Sequence, residues 1–134
     1  MYNTNTSRSV MLVDDDKFLL DMYTTKFTQH GYSVQACVSA DDALKLLREG
    51  MEPDAVLFDL TMPERDGLSF LQEIKDSKLA SKTLKIALTN QSSEDEKAKV
   101  IALGTDSYIV KATMIPSEVV NTIDQLLSGA HEQS

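Results

Sequence analysis

Asp59 ends the apolar run Ala55-Val56-Leu57-Phe58 and opens the segment Asp59-Leu60-Thr61-Met62-Pro63-Glu64-Arg65-Asp66-Gly67. A carboxylate placed where a buried strand gives way to a Pro/Gly loop stands at the rim of a sheet, open to solvent and ligands. A second acidic group, Asp14-Asp15-Asp16, closes another apolar run, Val10-Met11-Leu12-Val13. If the two strands are neighbours, Asp14 and Asp15 converge on Asp59. Two carboxylates about 4 Å apart repel by about 4 kcal/mol at an effective dielectric of about 20. Such a cluster is stable only if it is protonated or holds a cation. An all-oxygen site with room for water and phosphate suits Mg²⁺ better than zinc. Thr89 and Lys111 follow two further apolar runs. They offer a hydroxyl donor and a mobile positive charge for phosphoryl oxygens. Carboxylate, metal, hydroxyl and ammonium together compose an aspartyl-phosphate site, with the carboxylate as nucleophile.

These residues meet only if the chain folds so that strand ends share one edge. Short β-branched runs alternate with amphipathic stretches, which predicts an α/β domain with a parallel sheet. The expected strands are Val10–Val13, Tyr32–Val38, Ala55–Phe58, Ile86–Leu88 and Tyr108–Val110. Between them lie helices: one to about His30, with Leu19, Met22, Tyr23 and Phe27 on one face and Gly31 as its stop. A second is opened by the capping residues Ser39-Ala40-Asp41-Asp42, a third carries Leu68, Leu71 and Ile74, and a fourth is capped by Ser92 or Ser93. A fifth begins near Pro116 and carries Val119, Val120, Ile123, Leu126 and Leu127. In the second strand Val34, Ala36 and Val38 alternate, as in a half-covered edge strand, whereas the third is apolar throughout and reads as central. Right-handed crossovers favour the strand order 2-1-3-4-5, which makes strands one and three neighbours at the switch point. Asp16 reads as a helix cap and is left out of the metal site.

The 134 residues fit one domain: a leading segment 1–8, a core unit 9–128 and a polar tail 129–134. The net charge of −8 disfavours direct contact with nucleic acid or anionic lipid. Cys37 is the single cysteine, which excludes an intramolecular disulfide, and its apolar setting predicts a buried thiol. The polar start shows no signal-peptide core and no apolar stretch is long enough to span a bilayer, so the expected location is cytoplasmic.

In its motifs and their order the chain resembles the receiver domain of two-component response regulators over roughly residues 8 to 128. Asp14-Asp15 matches that family's acidic pair and Asp59 its phospho-acceptor. Met62-Pro63 and Asp66-Gly67 match the following loop, Thr89 the switch hydroxyl, Tyr108 the switch aromatic and Lys111 the lysine. The resemblance implies a flavodoxin-like doubly wound fold of five parallel strands and five helices, and a stand-alone response regulator. It implies Mg²⁺ at Asp14, Asp15, Asp59 and the Thr61 carbonyl. It implies phosphoryl transfer from a histidine kinase or histidine phosphotransfer protein, and no enzymatic activity beyond the chain's own phosphorylation and dephosphorylation. A downstream protein would read the surface of the fourth helix, fifth strand and fifth helix, in a monomer or a phosphorylation-dependent dimer. Thr61, Asn90 and Gln91 occupy positions that in the family tune phosphoryl hydrolysis. Ala112 follows Lys111 where the family has proline, which predicts a trans peptide and an altered loop.

Each residue also has an ordinary reading alone: Asp59 as a turn residue, Thr89 as a strand end, Lys111 as a solvated lysine, Tyr108 as an edge aromatic. Three other functions fit parts of the pattern. A phosphorylation-independent interaction module would keep the fold without the switch. A haloacid dehalogenase-type hydrolase also uses a strand-end aspartate, but needs a second acidic residue where Thr61 stands. A flavodoxin-like mononucleotide binder would need a Gly-rich loop after the first strand, and none is present.

Overall fold

Residues 8–62, 65–90, 93–111 and 114–132 are described in a computed structural model of the chain. Strands and helices alternate along the chain: β1 (Ser9–Val13), α1 (Lys17–Gln29), β2 (Ser33–Cys37), α2 (Ala40–Arg48), β3 (Ala55–Asp59), α3 (Gly67–Asp76), β4 (Leu84–Thr89), α4 (Glu94–Ala102), β5 (Ser107–Val110) and α5 (Pro116–Glu132). The strands form one parallel sheet in the order β2-β1-β3-β4-β5, as expected.

Side chains alternate across the sheet, so a fully apolar strand must feed two cores. Met11, Val13, Val56 and Phe58 face one side and pack with Leu44 and Leu47 of α2 and Phe70, Leu71 and Ile74 of α3. Val10, Leu12, Ala55 and Leu57 face the other and pack with Leu20, Tyr23 and Phe27 of α1 and Val119, Val120 and Ile123 of α5. Every residue of β3 is buried, which suits its position in the middle of the order.

Local signals set the helix starts. Asp16 caps α1 by accepting from the Phe18 and Leu19 amides at 3.0 and 3.2 Å. Ser39, Asp66 and Ser93 cap α2, α3 and α4 through the amides of Asp42, Ser69 and Glu96. Each such cap contributes about 1 kcal/mol.

Three expectations shift. In α1 the buried leucine is Leu20, while Leu19 and Met22 are half-buried. In β2, Ala36 is exposed and Val38 lies beyond the strand, also exposed; the covered positions are Val34 and Cys37, one on each face of the sheet. α5 continues through Glu132, so the helix runs on into the polar segment that follows Leu127. Cys37 is buried as expected, and burial pushes its thiol up to about 11. No helix among the described residues is long and apolar enough to cross a membrane.

Candidate functional site

β1 ends with Val13 beside Phe58 of the adjacent β3, so the next residues, Asp14 and the β3-terminal Asp59, stand side by side at the carboxyl edge of the sheet. The Asp14 amide donates to the Cys37 carbonyl at 3.1 Å, which extends the β1–β2 ladder by one step and fixes the backbone beneath the carboxylate. Asp14 and Asp59 are buried, at 3% and 4% exposure, whereas Asp15 is exposed. One oxygen from each of Asp14, Asp15 and Asp59 lies within 4.8 Å of the other two.

Lys111, directly after β5, reaches this cluster from the far side of the sheet order. Its Nζ is 2.9 Å from Asp14 Oδ2 and 3.5 Å from Asp59 Oδ1. Asp14 Oδ1 accepts from the Asp16 amide at 2.9 Å, and Asp59 Oδ1 accepts from the Thr61 amide at 3.3 Å. Burial raises the Asp59 carboxyl to about 6; Lys111 and the Thr61 amide oppose the rise, and the charges of Asp14 and Asp15 add to it. Burial pulls the Lys111 ammonium down, but the Asp14 hydrogen bond and the charges of Asp59 and Asp14 outweigh it and leave a net upward shift. Three carboxylates face one ammonium, so the ionised site carries excess negative charge. Its donors are oxygens, two of the three acids are held out of water, and among the described residues no histidine or cysteine joins the cluster. That donor set fits a hard divalent cation with room for water, as Mg²⁺ requires.

Thr89, the last residue of β4, is buried; its Oγ1 donates to Glu96 Oε1 at 3.2 Å. Tyr108 in β5 is half-buried, and its hydroxyl donates to the same Glu96 oxygen at 3.4 Å while accepting from the Ser93 amide at 3.4 Å. Asn90 is exposed one residue beyond Thr89, and Thr61 is exposed two residues beyond Asp59. Gln91 and the Ala112 peptide lie outside the described residues. The structure therefore brings Asp14, Asp15, Asp59, Thr61 and Lys111 together, and joins Thr89 to Tyr108 through Glu96.

Two participants escaped the sequence reading. Glu96 reads as one of three acids in the first turn of α4, where acidic residues are favoured whatever they touch. Tyr23 reads as a core residue of α1, yet its phenol lies within the field of the site. Burial raises it, with Lys111 opposing and Asp14 and Asp59 adding.

The family model of the response regulator receiver domain matches residues 10–124. The chain belongs to this family. Among solved structures, a receiver domain protein (CheY-like) from Methanospirillum hungatei JF-1 superposes with a TM-score of 0.86 at 23% identity, covering 96% of this chain and 100% of that one. The receiver domain of the Francisella response regulator 1452 gives 0.81 at 25% identity over 92% and 99%. The BeF3-activated receiver domain of DrrB from Thermotoga maritima gives 0.78 at 24% identity, again over 92% and 99%. This receiver domain shares with them the parallel five-stranded fold, and its acidic cluster stands at the carboxyl edge of the sheet, where such folds place ligands.

Proposed function

We propose that this receiver domain accepts a phosphoryl group on Asp59 from a phosphohistidine of a histidine kinase or phosphotransfer protein, and signals the change by protein contact. The observation that carries this reading is the convergence of Asp14, Asp15, Asp59 and Lys111 at the ends of β1, β3 and β5. Asp14, Asp15, Asp59 and the Thr61 carbonyl would hold Mg²⁺. When bound, that ion supplies charge neutralisation for the phosphoryl oxygens and lowers the cost of ionising Asp59.

The protein's own groups do the rest. An ionised Asp59 oxygen attacks phosphorus as the bond to the histidine nitrogen breaks, and the released imidazole takes a proton from solvent. Lys111, held between Asp14 and Asp59, keeps Asp59 ionised and meets charge on the transferred group. Thr89 then donates to a phosphoryl oxygen, Tyr108 follows, and the surface formed by α4, β5 and α5 changes for a downstream protein. The chain thereby acts as a stoichiometric switch and not as an enzyme on other substrates.

Beryllofluoride, a phosphoryl mimic, tests the reading. We expect binding that requires Mg²⁺ and is lost in Asp59→Asn, read by ¹⁹F NMR. Binding without Mg²⁺, or retained in Asp59→Asn, places the mimic elsewhere, and failure to bind in the parent leaves only an interaction module with the receiver fold.

A further inference from the structure

Glu96 is placed to do more than favour the start of its helix. A Ser at the helix N-cap with Glu three residues on is the pattern in which the Glu side chain returns to the cap amide. Ser93 and Glu96 have this spacing, and half of the pattern is present: Ser93 Oγ accepts from the Glu96 amide at 3.3 Å. The other half is replaced. The Ser93 amide donates to the Tyr108 hydroxyl at 3.4 Å, and that hydroxyl donates on to Glu96 Oε1. The same oxygen accepts from Thr89 at 3.2 Å. A phenol from β5 is thus inserted into the cap of α4, and one carboxylate oxygen collects donors from the end of β4 and from Tyr108 within β5.

A threonine or tyrosine hydroxyl has a single proton to donate. Thr89 cannot give it to Glu96 and to a phosphoryl oxygen on Asp59 at once. We propose that Glu96 is a positioning residue of the resting state. It accepts the Thr89 and Tyr108 protons and ties β4 and β5 to the first turn of α4, so a phosphoryl group on Asp59 must compete with it for Thr89. This rests on Asp59 being the phospho-acceptor. Once Thr89 is withdrawn, Glu96 Oε1 loses one of two donors, Tyr108 is left as its remaining donor, and the beginning of α4 becomes the element that moves. The link from site to surface is then a hydrogen-bond exchange, with Glu96 as the competing acceptor.

The test is the affinity for beryllofluoride in Mg²⁺, by ¹⁹F NMR, in the parent and in Glu96→Ala, Glu96→Gln, Thr89→Ala and the Thr89→Ala/Glu96→Ala pair. Glu96→Ala removes the carboxylate that competes for the Thr89 proton and is expected to tighten binding by about 3- to 10-fold, the scale of losing one hydrogen bond to a partly exposed charged acceptor. Glu96→Gln keeps an acceptor oxygen without the charge and should give a smaller shift. In the Thr89→Ala background the removal of Glu96 should change the affinity by less than about 2-fold, because the contested proton is gone. Thermal midpoints of all variants verify that each is folded. Unchanged or weakened binding in Glu96→Ala, or an equal gain with and without Thr89, overturns the role of Glu96 while leaving the Asp59 site standing. A parent that binds no beryllofluoride overturns both.

Discussion

Asp59→Asn should make the metal-free protein more stable at pH 7 by about 3 kcal/mol, even as it removes the proposed nucleophile. The folded chain holds the Asp59 proton up to about pH 6, against an ordinary carboxyl value of 3.8. Between those values the native state binds more protons than the unfolded one, so stability falls as pH rises through this window. The loss is complete above about pH 6, and the separation corresponds to about 3 kcal/mol. Asparagine never ionises, so the variant escapes the penalty. Its advantage should shrink as pH is lowered and vanish near pH 4, where both proteins carry a neutral group. Mg²⁺ should narrow the gap at pH 7, because a cation held by the folded state stabilises the parent more. Urea unfolding in chelator at several pH values measures this directly. Equal stability at pH 7, or an advantage that grows on acidification, contradicts the account. The parent thus gives up stability to keep a buried carboxylate available, which is the compromise expected where a local rule is broken at a functional site.

Gly67→Ala is the second large effect, with the opposite sign. A Cβ at this position would lie 2.7 Å from the Asp59 carbonyl oxygen and 2.8 Å from Leu60 Cα, both backbone atoms that no rotamer change can move aside. Gly67 is needed for space and not for an unusual φ. The start of α3 lies directly against the backbone that carries Asp59, and the Gly67 amide donates to the Leu60 carbonyl at 3.2 Å. Adding one methyl group forces α3 or the end of β3 to shift. The expected cost is about 3 kcal/mol or more, at the upper end for overpacked sites, and Mg²⁺-dependent beryllofluoride binding should weaken with it. Parent-like stability together with parent-like binding would show that the contact is not tight.

The site was legible where chemistry falls at the end of an apolar run. Val10–Val13 and Ala55–Phe58 are continuous because both faces of the sheet are covered, so the first acidic residue after each run marks the sheet's edge. The order 2-1-3-4-5, common for five right-handed units, then brings Asp14 and Asp59 together. Helix phase was harder to read. Phe18-Leu19-Leu20 offers three apolar residues in a row, and only packing selects Leu20 for the core while Phe18 stays 75% exposed. In β2, alternation suggested one covered face, but Cys37 goes to the α2 side and Val34 to the α1 side. Polar residues after Leu127 suggested a tail, and the helix α5 extends into that segment as far as Glu132. Glu96 was invisible for a different reason: its partners, Thr89 and Tyr108, come from two other strands, and no local pattern encodes that meeting.

The central claim is that Asp59 is the residue phosphorylated. Labelling with a small phosphodonor such as acetyl phosphate, with and without Mg²⁺, on the parent and on Asp59→Asn, tests it most directly. We expect incorporation in the parent that needs Mg²⁺, is released by hydroxylamine as an acyl phosphate should be, and is absent from Asp59→Asn. Hydroxylamine-labile label persisting in Asp59→Asn would contradict it.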